Sequence, residues 1–380
     1  MPPSLPLNLT VATSMKSYFD IFPRMPREVV IGDVSIRDGF QAEEKNVSTK
    51  AKIFYLSEIV FAGCRHIEVT NLGKNHIMPQ FADAEEVMSY ARSDFFKERC
   101  QRKGVDYDDI CFTCVTIRET AVDHAIRLKQ QGIGPDRILM MISTDEHHHF
   151  VNTGTTINEY WKEAERCISK CHNAGIQVCG TVSTIWGSPI VGPMDMRKAV
   201  DFVRIWLDLG VNDIEHSDHD GSGTADQIYG YFSEILDAYP DPEIHIAHFH
   251  ETKRIGSASI LASLQAGIKR YEASLGGIGG QPANFFDDFP VPGTGKYYHV
   301  RPGVVPLEDT LIQLDEMGIR HNYNIDRILE LGRLMERTLG RTLKSDAIWN
   351  GRSLQAPRLD LARPGLLQRK QKLGELPPSA

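Results

Sequence analysis

Short apolar runs rich in β-branched residues alternate along this chain with longer stretches whose apolar positions recur every three to four residues. Val29-Val30-Ile31 opens the series. It precedes a helical pattern over residues 49–62 that places Ile53, Leu56 and Val60 on one face, with Ser48 as N-cap. His66-Ile67-Glu68-Val69 precedes a helix over 84–91, and the runs at 110–115 and 138–142 are each followed by helical segments. Residues 177–182 lead into a helix over 196–209. Asp213-Ile214-Glu215 leads into 225–238, capped by Thr224; 243–248 leads into 256–266, and 271–275 ends the series. This makes eight strand–helix units without an Asn-Gly hairpin signal, so the strands are expected to be parallel and joined by crossovers. Eight such units fit an α/β (β/α)8 TIM barrel better than an open doubly wound sheet. The division predicted is an N-terminal extension over 1–26, the barrel over 27–319, and a C-terminal helical extension and tail over 320–380, where Pro357, Pro364, Pro377 and Pro378 accumulate.

Composition narrows the function. The chain has 380 residues, 42 basic and 50 acidic, for a net charge of −8. That sign is wrong for a general binder of nucleic-acid phosphates, and no run of about 20 apolar residues could span a bilayer. The start, MPPSLPLNLTVATSMKSYFDIF, lacks the basic head and compact apolar run of a secretion signal. Seven cysteines, all between Cys64 and Cys179, have no disulfide-scaffold spacing. The expectation is a cytoplasmic protein with a small-molecule substrate, no nucleic acid and no membrane partner.

In a (β/α)8 barrel the chemistry belongs where strands end and βα loops begin. Three such segments stand out: Ser35-Ile36-Arg37-Asp38-Gly39-Phe40-Gln41, His248-Phe249-His250-Glu251-Thr252, and Leu275-Gly276-Gly277-Ile278-Gly279-Gly280-Gln281-Pro282. On a strand, His248 and His250 face the same way. Barrel closure sets Asp38 near them, and two imidazoles plus one carboxylate suit a divalent ion with open positions. Such His-x-His pairs also occur as plain polar rim residues. Arg37 can grip a carboxylate or offset charge developing on an enolate oxygen; a structural salt bridge with Asp38 or Glu68 is the alternative. The glycine run closes the last strand instead of opening the first, which argues against a dinucleotide loop and for a loop closing over substrate. His219 beside Asp218 is a proton-transfer candidate, and Asp145-Glu146-His147-His148-His149 lies at the same barrel end. Cys111 and Cys114 fall on opposite faces of a strand, which disfavours redox or zinc use.

Together these segments resemble the 3-hydroxy-3-methylglutaryl-CoA lyase branch of the pyruvate carboxyltransferase-like (β/α)8 family, from about Glu28 to Gly340. The quoted matches are Arg37-Asp38-Gly39-Phe40-Gln41, Ile67-Glu68-Val69-Thr70-Asn71 and the segment 248–282. The resemblance implies a metal-dependent carbon–carbon lyase acting on a 3-hydroxyacyl-CoA or related 3-hydroxy acid, in a homo-oligomer. It implies a divalent cation, Mg2+ or Mn2+ with Zn2+ as the alternative, held by Asp38, His248 and His250. Arg37 would stabilise the enolate, Gln41 and Glu68 would shape the pocket, and Asp218 falls on the sixth-strand aspartate. The alternatives are a Claisen-type synthase condensing an acyl-CoA with a 2-oxo acid, and a non-catalytic barrel acting as a binding module.

Four departures from the family pattern are expected to alter the substrate. Gln281 stands where the lyases place a proton-donating cysteine, and glutamine has no proton to give. Val304 stands at their fourth ligand, an asparagine. About a dozen extra residues lie between Pro282 and Gly303, with Asn284 or His299 as substitute ligands. Lys253 and Arg254 follow the histidine pair and would bring positive charge to a di- or tricarboxylate substrate.

Overall fold

Strand alternation organises the molecule, because each strand turns one set of residues into a closed cylinder and the other against helices. The structure is a computed structural model that describes residues 17–41, 43, 45–73, 78–280, 284–286, 289–291 and 303–352. Its strands are β1 (Val30–Asp33), β2 (His66–Asn71), β3 (Cys111–Val115), β4 (Arg137–Ser143), β5 (Gln177–Ser183), β6 (Asp213–Asp218), β7 (His245–Phe249) and β8 (Arg270–Ala273). All pair in parallel and close in the order β1-β8-β7-β6-β5-β4-β3-β2. The crossover helices are α1 (Thr49–Phe61), α2 (Ala84–Arg92), α3 (Glu119–Gln130), α4 (Ile157–Asn173), α5 (Met196–Asp208), α6 (Ala225–Ala238), α7 (Gly256–Ala266) and α8 (Leu307–Glu316). This is the (β/α)8 TIM barrel that the eight-unit pattern predicts.

Two features differ usefully from expectation. β6 continues to Asp218 instead of stopping at 215, which fixes the direction of every polar residue at its end. Among the described residues, two short antiparallel pairs lie outside the barrel, Gly187–Ser188 with Gly192–Pro193 and Asn284–Phe286 with Phe289–Val291. Ladders of two or three residues are too short to show an alternating pattern, so the sequence carries no sign of them.

Inside the cylinder the side chains form layers. Arg137 and Arg270 both pair with Asp213 at the N-terminal end, the latter at 2.9 Å. Above them Val115, Leu139, Cys179 and Ile246 form a small apolar plug. The outward residues, such as Ile138, Met140 and Ile142 of β4, join the larger core beneath the helices. On the other side of this plug, polar groups gather again at the C-terminal mouth. Past the barrel, a helix at Ile325–Leu339 is capped by Asn324 and tied to α1 through Tyr55 OH–Thr338 Oγ1 (2.7 Å) and Arg327–Glu58 (2.6 Å).

Glu308, in the first turn of α8, is fully buried and accepts the Gly276 N–H at 2.8 and 3.0 Å, which anchors the glycine loop. Burial pushes its carboxyl from 4.5 up to about 8, so across that window the folded protein keeps a proton that the unfolded chain has lost. Stability from this group is complete below pH 4.5 and declines as pH rises towards 8. Glu308→Gln still accepts the N–H but cannot titrate. Urea melts at pH 5, 6.5 and 8 are expected to show a shallower decline for the variant, by up to about 1.4 kcal/mol per pH unit. Parallel curves would contradict the assignment.

Candidate metal centre

After β1 the backbone makes a wide helical turn over Ser35–Gly39, buried throughout. Ser35 fixes it, donating to Asp33 Oδ2 at 2.9 Å and accepting the Leu275 N–H at 2.8 Å. The turn swings Arg37 and Asp38 into the barrel mouth. Arg37 Nε donates to Glu68 Oε2 at 2.5 Å and Nη1 to Asp38 Oδ2 at 2.8 Å. One guanidinium thus bridges two buried carboxylates, a fork that only arginine offers. Burial by itself would raise the Asp38 carboxyl, but Arg37 and the two imidazoles opposite hold it below the usual carboxylate range.

Those imidazoles come from β7. His248 lies level with Ser217 of β6 and Glu272 of β8, and its Nδ1 sits 2.8 Å from Glu272 Oε2. Burial opposes charge on this ring, yet Glu272, Glu215 and Asp38 outweigh it and raise its pKa to about 9. A metal ion would therefore have to displace a proton from His248. His250 stands just beyond the strand, and its Nδ1 donates to the Asp218 carbonyl at 2.8 Å. That bond leaves the lone pair on Nε2, a buried atom with no partner among the described residues. Burial, then the charge on His248, pushes His250 down to about 3, so it stays neutral. One ligand atom each from Asp38, His248 and His250 lie within 4.8 Å of one another.

The glycine run packs directly on this cluster. Gly280 N–H donates to Asp38 Oδ1 at 3.0 Å, and a Cβ on Gly279 would fall 2.6 Å from the same oxygen. Gly279 also has φ +119°, so both space and backbone exclude a side chain. Val304 pairs with His250 in an isolated antiparallel bridge, which sets an apolar residue beside the imidazoles.

The residues therefore fit a divalent cation: two neutral-capable nitrogens and one carboxylate, each steadied by a second hydrogen bond, with one donor atom left buried and unpaired. The sequence profile described as HMGL-like matches residues 28–335. The chain belongs to the HMGL-like family. It is a carbon–carbon lyase, and its family is divalent-metal dependent. It is 23% identical over 321 residues to a hydroxymethylglutaryl-CoA lyase of Bacillus subtilis, spanning 84% of this chain and 96% of that protein. It is 24% identical over 322 residues to the human mitochondrial hydroxymethylglutaryl-CoA lyase, spanning 84% and 89%. Among solved structures, an HMG-CoA lyase from Acinetobacter baumannii, in complex with coenzyme A and 3-methylmalate, superposes with a TM-score of 0.74 at 24% identity over 87% of this chain and 97% of that one. The carboxyl transferase domain of Rhizobium etli pyruvate carboxylase shares the fold at a TM-score of 0.59 and 14% identity, spanning 87% of this chain and 51% of that one.

In this HMGL-like barrel a cavity opens at the C-terminal mouth. Arg37, Asp38, Gln41, Glu215, His219, His248 and His250 contribute to its wall. Gln41 Nε2 donates to Gly280 O at 3.2 Å, and Glu68 supports Arg37 from behind. Asp218 is not brought to the cavity by its side chain. It shares the outward face of β6 with His216, and its oxygens accept the Ser222 and Gly223 N–H groups at 3.0 and 3.1 Å. Its carboxyl orders the turn into α6, while its carbonyl aligns His250. Lys253 and Arg254 also lie outside the cavity wall; both are exposed, and Arg254 faces Asp346 at 3.8 Å. Gln281 and His299 fall outside the described residues, as does the side chain of Asn284.

Three contributors carried little sequence signal. Glu272 is the single acidic residue of β8, and Glu215 stands between Asp213 and Asp218 in β6 with nothing local to set it apart. His148, within a run of three histidines, is the one whose Nε2 meets His219 Nε2, at 3.1 Å, while its Nδ1 lies 2.6 Å from Ser143 Oγ. The pairing registers that set Glu272 and Ser217 level with His248 bring the glutamates in, and sequence alone does not show those registers.

Proposed function

We propose that this chain cleaves a 3-hydroxyacyl-CoA or related 3-hydroxy acid between C2 and C3, releasing a ketone or keto acid and an acyl fragment. The observation that carries this reading is the buried, unpaired Nε2 of His250 converging with His248 and Asp38 beside the Arg37 guanidinium. A divalent cation held by Asp38, His248 and His250, Mg2+ or Mn2+, would polarise the substrate oxygens. The relatives' names, hydroxymethylglutaryl-CoA lyases, support a thioester as the substrate form.

The chain's own groups supply the rest. His219 lines the cavity and is backed by His148, so it takes the proton of the C3 hydroxyl as the C–C bond breaks. Negative charge then gathers on the oxygen of the two-carbon fragment, where Arg37 offsets it. The proton on His219 passes to the new carbanionic carbon, which restores the enzyme. This route needs no cysteine at position 281. Glu272 keeps His248 in one orientation and the Asp218 carbonyl does the same for His250.

Mass spectrometry tests the reading on a panel of 3-hydroxyacyl-CoAs and free 3-hydroxy acids, with Mg2+ or Mn2+, scored for cleavage and condensation. At least one member is expected to yield a shorter acyl-CoA or acid plus a carbonyl fragment, and only with the metal present. A protein that binds Mn2+ stoichiometrically yet turns over no member in either direction would refute it.

A further inference from the structure

One strand away from His248, the cavity carries a second polar patch that the proposed proton route leaves unused, although its Glu215 also lies beside His248 and Glu272. Thr181 of β5 and Glu215 of β6 are partners in the parallel ladder and both line the cavity. Both are buried, at 2% and 3% exposure, and Thr181 Oγ1 and Glu215 Oε2 have no hydrogen-bond partner among the described residues. Two residues further along the same strands, Ser183 pairs with Ser217, and these also line the cavity. Ser183 is engaged with Ser143 at 3.0 Å. Beside Thr181 the lining turns apolar, with Met141 as its ladder neighbour on β4 and Val115 and Ile117 on and just past β3.

Buried polar atoms without partners are destabilising, typically by about 1–3 kcal/mol each, unless a ligand or water supplies the missing bond. Two on adjacent strands, opening on one cavity and joined by a third polar group, the Ser217 hydroxyl, form a hydrogen-bonding subsite. We infer that Thr181, Glu215 and Ser217 form a specificity pocket for a hydroxyl-bearing arm of the substrate, such as a hydroxymethyl group at C3, with the arm's carbon against Val115, Ile117 and Met141. This inference deepens the proposed 3-hydroxy acid reading and rests on it.

Charge selects the chemistry. Glu68, Asp38 and Glu215 already surround the Arg37 guanidinium, so a further anionic arm would be repelled. An ammonium arm can only donate, so it leaves the Thr181 hydroxyl proton without an acceptor. A hydroxyl can both donate to and accept from these groups, so it satisfies Thr181 and Glu215 together.

The test uses three ligands of nearly equal size, 3-hydroxyacyl substrates bearing ethyl, hydroxymethyl or aminomethyl at C3, with the Mn2+-loaded protein. Affinity is measured by calorimetry and cleavage by mass spectrometry. The hydroxymethyl compound is expected to bind at least about tenfold tighter than the ethyl one, the equivalent of one well-made hydrogen bond. Thr181→Val, which keeps the shape, is expected to reduce that ratio about tenfold, and Glu215→Leu to reduce it independently. Equal or tighter binding of the ethyl compound, preference for the aminomethyl compound, or an unchanged ratio in Thr181→Val would overturn the inference. The ligand comparison on the wild type decides the matter even if a variant fails to fold. Cleavage of all three compounds without preference would remove the subsite and leave the lyase reading. Hydroxymethyl preference in binding without any cleavage would keep the subsite and remove the lyase reading, and no binding at all would remove both.

Discussion

Asp38→Asn is expected to lose both metal binding and turnover. The amide keeps the shape and its one oxygen still accepts the Gly280 N–H; the bond from Arg37 is given up, but Glu68 still holds that guanidinium, so the fold should survive. What disappears is the negative charge between Arg37 and the two imidazoles. With Mn2+ in large excess over its dissociation constant, the wild type should gain a few degrees in Tm, since saturation at about 100 times Kd is worth roughly 2.7 kcal/mol. Asp38→Asn and His250→Gln should show almost none of that gain, and turnover should fall by at least about 10³-fold. A variant that keeps the full Mn2+-dependent Tm shift would show that the ion is held elsewhere.

Arg37→Lys is expected to separate catalysis from metal binding. Lysine retains a positive charge but cannot reach Glu68 and Asp38 together with parallel N–H groups. Asp38 and both histidines remain in place, so Mn2+ affinity should change by less than about tenfold. The turnover number should fall by about 10²–10³-fold, the scale seen when a donor aimed at developing negative charge is removed. Arg37→Ala is a poorer probe, because it strands two buried carboxylates and unfolding would obscure the result. Should Arg37→Lys lose Mn2+ and keep its turnover number at saturating metal, the guanidinium would be a structural brace and not a charge stabiliser.

The barrel was legible because each strand–helix unit repeats a strong contrast in periodicity, and the strands matter as a set of eight. Arg37, Asp38, His248 and His250 were legible because they sit at strand ends in short, chemically dense segments. Asp218 shows where that reasoning stops. Its position in the chain suggested the cavity, but with β6 extended to Asp218 the parity aligns it with His216, while Glu215, Ser217 and His219 turn inward. Glu215 and Glu272 carry no local mark, since their partners are His248 and each other, tens of residues away in the chain. The histidine run behaves similarly: His147 is 75% exposed at its side chain whereas His148 is fully buried, a distinction set by the helix at Glu146–Thr153 and the barrel beneath it. Lys253 and Arg254 looked like substrate clamps because charge is visible in sequence while direction is not.

The bond from His250 to the Asp218 carbonyl has an evolutionary reach beyond its 2.8 Å. Its acceptor belongs to the main chain, so no exchange of one side chain for another at position 218 can delete it. The tautomer that leaves Nε2 available is guaranteed by the course of the neighbouring strand and not by any particular residue type. A lineage can therefore rework the amino acids around this rim and acquire new substrates while the nitrogen keeps pointing where a cation would sit.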